Sequence, residues 1–71
     1  MNNFDILLNN ENKNVKIFAN TILDLRYSQG FYSRLCASID EMDDESLKNL
    51  IETLKQQNFN NSVDVILWLE C

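Results

Sequence analysis

The sequence contains no histidine and no proline, and it has only one glycine and two cysteines. Without histidine, neither a Ser–His nor a Cys–His catalytic pair can form, and a zinc site would lack imidazole ligands. A single glycine cannot build a phosphate-binding loop. The two cysteines, Cys36 and Cys71, are too few for a four-thiolate zinc site. These absences predict a protein that is not an enzyme and that needs no metal or cofactor.

Long apolar runs are also missing. No stretch approaches the ~20 residues of a membrane span, and the first residues, MNNFDILLNN, lack the basic start of a signal peptide. We therefore expect a cytoplasmic protein with no membrane contact and with reduced thiols. In this interpretation Cys36 is a buried structural thiol and Cys71 is an exposed, incidental one.

Charge of one sign predominates, with eleven acidic residues against six basic ones and a formal net charge of −5. This balance argues against direct binding to nucleic acid, whose phosphates attract clustered Lys and Arg. It favours a basic partner, including a protein whose own task is to hold nucleic acid. Simple solubility is the alternative explanation of the charge.

Asparagine is frequent, with eleven copies in 71 residues. Its side chain favours helix caps, turns and loops. An A/T-rich genome explains the same excess equally well, because asparagine and lysine codons are A/T-rich. The count alone predicts no chemistry.

The apolar residues recur at helical spacing, with clear stripes such as Phe18, Ile22 and Leu25, and Leu47, Leu50 and Leu54. The final segment also alternates as a strand does, but Ser62 and Asp64 suit a helix N-terminus. We predict an all-α fold, a compact bundle of three to four short helices in a single domain of residues 1–71. Its segments are an N-terminal arm and loop at 1–14 and helices at 15–28, 31–41, 44–57 and 62–70. Asn14 is the expected N-cap of the helix at 15–28.

The stretch RYSQGFYSRL holds the only glycine, Gly30, which can adopt positive φ and turn one helix into the next. We expect Phe31 to pack in the core and the tyrosines to face solvent, since Tyr and Arg dominate binding hot spots. Alternatively, the tyrosines stabilise the corner and the arginines pair with nearby acids. The predicted partner-binding patch is formed by Tyr27, Gln29, Tyr32 and Arg34.

The run IDEMDDE lacks the alternating ligands and the glycine of a calcium loop. One interpretation is a helix boundary at which Asp43 caps the next helix and the acids favour its dipole. The other is an acidic surface that docks on Lys and Arg side chains. The acids predicted to bind a partner are Asp40, Glu41, Asp43 and Asp44.

The C-terminal run VILWLE has five consecutive apolar residues, more than one face of a small bundle can bury. Exposed apolar surface marks interfaces, and dimers are the commonest oligomers. Burial under the N-terminal arm is the alternative. The residues predicted to mediate self-association are Val65, Ile66, Trp68 and Leu69.

The strings SQGFYSRL, QNF and DVILWLE, spread over residues 28–70, resemble small acidic proteins of phages and mobile elements of low-GC bacteria. Many proteins of that kind are similar to inhibitors of host defence, including anti-CRISPR proteins. The resemblance implies a non-enzymatic inhibitor that binds a host protein, such as a CRISPR nuclease complex. A small helical homo-oligomer with a structural role is the alternative function.

Overall fold

A computed structural model describes residues 2–70 of the chain, and these residues form helices without any strand. The all-α prediction is therefore confirmed, but the described residues contain five helices rather than three or four. None of these helices is long and apolar enough to cross a membrane. The helices are α1 (Asn3–Leu8), α2 (Lys13–Leu25), α3 (Gly30–Asp40), α4 (Asp44–Lys55) and α5 (Ser62–Glu70).

The extra helix is α1, in the segment predicted to be an arm. Asn2 caps it by accepting a hydrogen bond from the backbone N–H of Asp5 at 2.9 Å. Phe4 and Leu7 are buried in the core, and α1 packs against both α2 and α3. A six-residue helix is marginal by itself, so its stability comes from this packing. Residues 3–8 are therefore an integral part of the core.

Helix α2 is the central element of the fold. Its predicted stripe is buried at Phe18 and Ile22, and Val15 and Ala19 extend it. The helix packs against each of the other four helices, so its buried side chains meet residues from both ends of the chain. One continuous core results, which includes Ile39 of α3.

The helix termini follow capping chemistry, with some positions shifted from those predicted. Asp43 caps α4 as predicted, accepting from the Ser46 N–H at 2.8 Å. Asn12, not Asn14, caps α2, and its side-chain oxygen accepts from the N–H of Asn14 at 2.9 Å. Each of these side chains satisfies an N–H that lacks a partner in the first turn of its helix.

Two other asparagines join segments that are far apart in the chain. The Asn14 amide donates to the carbonyl of Gln57 at 2.6 Å, and its oxygen accepts from the N–H of Phe59 at 3.1 Å. The Asn3 amide donates to the carbonyls of Ile39 and Met42 at 2.9 and 2.8 Å. The last carbonyls of a helix have no partner within that helix. These two amides therefore bind the chain where α3 and α4 end, and they hold α1 and α2 against those ends.

Candidate functional site

The corner between α2 and α3 is built without a left-handed residue. None of residues 2–70 has positive φ, so the prediction that Gly30 turns the chain in that way is wrong. The turn occurs earlier, because the N–H groups of Ser28 and Gln29 both bond to the Leu25 carbonyl, each at 3.0 Å. Helix α2 consequently ends at Leu25, and Gly30 is the first residue of α3.

The two aromatic residues after this corner exchange their predicted places. Tyr32 is buried, with 4% of its surface exposed, whereas Phe31 is 47% exposed. The prediction that Tyr32 faces a partner is therefore wrong. Tyr32 and Ile39 lie seven positions apart, which is a helical spacing. They can therefore share one face of α3, just as the predicted stripe of Phe31, Leu35 and Ile39 can. The rings of Phe31 and Tyr32 meet edge to face, with centroids 5.2 Å apart.

The other members of the predicted patch are exposed. Tyr27 is 84% exposed, and Gln29 and Arg34 also face solvent. The guanidinium of Arg26 lies over the Tyr27 ring, 4.7 Å from its centroid, and Nη2 donates to the Tyr27 hydroxyl at 2.8 Å. A cation stacked on an aromatic face gains electrostatic energy and restricts both side chains. Tyr27 therefore projects from the corner in a defined orientation.

The predicted acids also lie on the surface, between the end of α3 and the first turn of α4. We call this group the acidic corner. None of its carboxylates lies within 4.0 Å of a Lys or Arg nitrogen in the described part of the chain, where Glu52 and Lys55 form an ion pair. The acidic corner comprises Asp40, Glu41, Asp43, Asp44 and Glu45, all of which are exposed.

Two of these acids also have structural roles. Asp40 accepts from the N–H of Phe4 at 3.0 Å and so holds the start of α1. Asp43 caps α4, and its hydrogen bonds from the Ser46 backbone and side chain lower the pKa of its carboxyl. A lowered pKa keeps this carboxylate charged in more acidic solution than an ordinary aspartate. Both interpretations of the acidic run are therefore compatible, because Glu41, Asp44 and Glu45 remain available to a partner.

A cleft between α3 and the corner that joins α2 to α3 connects Tyr27 to the acidic corner. Its volume is about 330 Å³. Asp40 belongs both to the cleft and to the acidic corner, so the aromatic and acidic parts of the predicted site form one continuous surface. The cleft is lined by Arg26, Tyr27, Ser33, Cys36, Ala37 and Asp40.

No protein-family model matches the chain, and neither does any curated protein or solved structure. The function of the cleft must therefore be inferred from the chemistry of its own residues.

The α3 wall of the cleft has a sequence signal, because Ser33, Cys36 and Asp40 recur at helical spacing on one face. Arg26 and Tyr27 come from outside that helix, so the α3 periodicity does not reveal them. Cys36, predicted to be buried, is only partly so, and Cys71 lies outside the described residues.

Arg26 is the cation of this cleft. Desolvation acts to lower the pKa of its guanidinium, but contacts with Tyr27 and Cys36 outweigh it, and the pKa is raised above the ordinary value. The Nε atom is shielded from solvent and has no hydrogen-bond acceptor among residues 2–70. The guanidinium therefore stays charged, and the Tyr27 hydroxyl does not satisfy all of its donors.

Helix α5 is confirmed as a helix, but its predicted self-association residues turn mostly inward. Val65 is fully buried, which makes its prediction as an interface residue wrong. The Trp68 ring packs edge to face on Phe18 and Phe59, at centroid distances of 6.1 and 5.7 Å. Leu69 also packs against the core, and Ile66 is half-buried. The apolar residues that α5 exposes are Val63 and Leu67, at 58% and 56%.

Proposed function

We propose that this protein is a non-enzymatic inhibitor, of the kind that phages and mobile elements encode, and that it acts by binding another protein. Its target is a basic surface of a nucleic-acid-handling host protein, such as a CRISPR nuclease complex. The resemblance of residues 28–70 to such small acidic proteins supports the biological setting. The single observation that carries the binding mode is the continuity of the acidic corner with Tyr27 across the cleft.

The charges of the acidic corner suit this task because no Lys or Arg nitrogen of residues 2–70 lies within 4.0 Å of them. Five exposed carboxylates without an ion pair among the described residues leave a negative field that attracts Lys and Arg side chains of a partner. Such complementarity raises the association rate and selects the partner. A surface that normally holds phosphates has the matching positive charge.

Tyr27 supplies the contact area that charge alone does not. Its ring is almost fully exposed but is held in place by Arg26. A rigid aromatic side chain loses little conformational entropy on binding, which is why tyrosine is frequent in hot spots. We therefore expect Tyr27 to be the anchor of the interface and the acids to form its rim.

The test is affinity capture from a nuclease-treated bacterial lysate, with the wild type and Glu41→Lys/Asp44→Lys compared directly. Neither carboxylate takes part in a hydrogen bond among residues 2–70, so the substitutions leave the bonds from Phe4 to Asp40 and from Ser46 to Asp43 in place. We expect the variant to bind the captured protein at least about tenfold more weakly, because its charges now repel a basic surface. Wild-type binding should fall as salt rises from about 0.1 to about 1 M, since the screening length shrinks from about 10 to about 3 Å.

The matched control is Glu11→Lys/Glu70→Lys, which changes the net charge from −5 to −1, as the first variant does, but at exposed sites elsewhere. It should retain the same captured protein. The purified target must then lose nucleic-acid cleavage or binding when wild-type protein is added, and keep it with Glu41→Lys/Asp44→Lys. Equal capture by both variants, or capture that ignores salt, contradicts the proposal.

A second candidate function is a homo-oligomeric assembly module, which the outer face of α5 favours. Val63 and Leu67 are four positions apart, so they lie next to each other on that face, and both are more than half exposed. No lysine or arginine occurs after Lys55, so no basic charge from this part of the chain interrupts the apolar surface. The interface would therefore use Val63 and Leu67 rather than the four residues predicted from sequence.

Sedimentation over a range of concentrations tests this candidate. The wild type should approach twice the monomer mass of 8.3 kDa, whereas Leu67→Glu should remain monomeric because a dimer would bury its charge. Phe31→Glu is the control, since it introduces the same charge at another exposed apolar position. A wild type that sediments as a monomer at every concentration rules out the assembly function.

A further inference from the structure

We propose that the cleft between α3 and the α2–α3 corner binds a carboxylate group, with Arg26 as the cation that receives it. This goes beyond the proposed function, because the ligand is an anion whereas the acidic corner is expected to bind cationic side chains. The ligand class is a carboxylate that carries an amide N–H beside it, as the C-terminal end of a peptide does.

The first argument is the position of Arg26. Stacking on Tyr27 and the 2.8 Å bond from Nη2 to the tyrosine hydroxyl hold the guanidinium at the cleft wall. Arginine prefers carboxylates because its planar fork donates two parallel hydrogen bonds. A guanidinium that is already oriented loses little conformational freedom when such a ligand arrives.

The second argument is that Arg26 has no carboxylate partner of its own. No acidic oxygen lies within 4.0 Å of it in the described part of the chain, and its Nε has no acceptor. Asp40 lines the same cleft, but its Oδ1 accepts from the N–H of Phe4 and is thereby directed towards α1. Among residues 2–70 the guanidinium thus has no carboxylate acceptor, and a ligand reaches it through its Nη atoms because Nε is shielded from solvent.

The third argument concerns the other walls, which restrict the ligand. Ser33 and Ala37 also line the cleft, and the Ser33 hydroxyl is a second donor for an anion. Asp40 repels a bare anion, but its Oδ2 makes no hydrogen bond among residues 2–70 and can accept an N–H. A ligand with a carboxylate at one end and an amide N–H nearby satisfies Arg26 and Asp40 together. A volume of about 330 Å³ accommodates a group of that size.

The experiment is a nuclear magnetic resonance titration of the 71-residue protein with two matched probes at constant ionic strength. N-acetylglycine carries both the carboxylate and the amide, whereas N-acetylglycinamide lacks the charge. We expect saturable shifts at Ser33, Cys36, Ala37 and the Arg26 side chain with the acid, at a dissociation constant on the order of 1–10 mM for so small a ligand. The uncharged probe should bind at least about tenfold more weakly.

Variants identify the residue responsible. Arg26→Gln should abolish saturable binding, and Arg26→Lys should weaken it, because lysine keeps the charge but loses the fork. Arg34→Gln is the control, since Arg34 is an exposed arginine that does not line the cleft. Far-UV circular dichroism checks that each variant is folded. Should Arg26→Gln unfold, Arg26→Lys and the comparison of the two probes still decide the outcome.

A third probe distinguishes the two sources of a peptide carboxylate. The α-amide of N-acetylglutamic acid presents the group on a side chain, away from the backbone N–H, and should bind more weakly than N-acetylglycine. Equal binding of N-acetylglycine and its amide, loss of binding in Arg34→Gln, or no saturable shift overturns the proposal. Because no partner protein is used, these outcomes are independent of the capture experiment, and either proposal can fail alone.

Discussion

Replacing Leu7 with alanine is expected to destabilise the protein by about 2–5 kcal/mol, although Leu7 belongs to a six-residue helix near the N-terminus. Its side chain is fully buried where α1 meets α2 and α3. The cost combines lost apolar burial with the cavity that remains. A small domain has a free energy of unfolding of about 5 kcal/mol or slightly more, so Leu7→Ala should leave it partly unfolded. Urea denaturation followed by circular dichroism measures the change.

Ile6→Ala is the matched control, in the adjacent position of the same helix. Ile6 is 38% exposed, so its truncation should cost less than about 1 kcal/mol. If α1 were a surface arm, both substitutions would lower the free energy of unfolding by similar small amounts. Equal effects of Leu7→Ala and Ile6→Ala would therefore show that α1 does not contribute to the core as described.

Replacing Asn14 with alanine is expected to cost about 2–3 kcal/mol, a large effect for a polar residue. The substitution removes the bond to the Gln57 carbonyl and the bond from the Phe59 N–H, and both groups are left without their partner. Phe59 is buried, so its loop cannot rearrange freely towards water. Asn14→Asp should be nearly as destabilising at neutral pH, because a carboxylate cannot donate and faces the Gln57 carbonyl oxygen. Chemical denaturation of the wild type, Asn14→Ala and Asn14→Asp measures the three free energies of unfolding.

Asn20→Ala separates this role from helix propensity. Asn20 lies in the same helix but is exposed, and its amide bonds only to the Lys16 carbonyl one turn earlier. Alanine is the better helix former, so the expected change is within about 0.5 kcal/mol. If Asn14→Ala lowered the free energy of unfolding as little as Asn20→Ala, the long-range hydrogen bonds of Asn14 would contribute little to stability.

Much of the helical architecture follows from periodicity. The stripe of Phe18 and Ile22 predicts α2, and the acids after Met42 predict the start of α4, because both patterns act within a few turns. Predicted ends were less accurate: α2 ends at Leu25 and α4 at Lys55, before the predicted positions. These ends depend on turn hydrogen bonds, for which the sequence carries only a weak signal.

The packing of the helices and the make-up of the cleft depend on contacts between residues that are distant in the sequence. Phe31 and Tyr32 are neighbours, and both fit a helical stripe with Ile39, so only the packing of α3 decides which one is buried. Asn3 and Asn14 are two of eleven asparagines, and nothing local distinguishes them from those that only cap helices. The cleft likewise requires Arg26 to meet α3 from outside it. Predictions within one helix therefore succeeded more often than predictions of how the helices meet.

The central position of α2 has a consequence for how the molecule loses structure. An amide of α2 becomes exposed to deuterium exchange only when the surrounding helices have separated from it, since all four pack on this one element. The outer helices can each open while the rest stays assembled. The exchange rates should therefore rank α2 as the slowest segment, with its opening free energy equal to that of the whole chain.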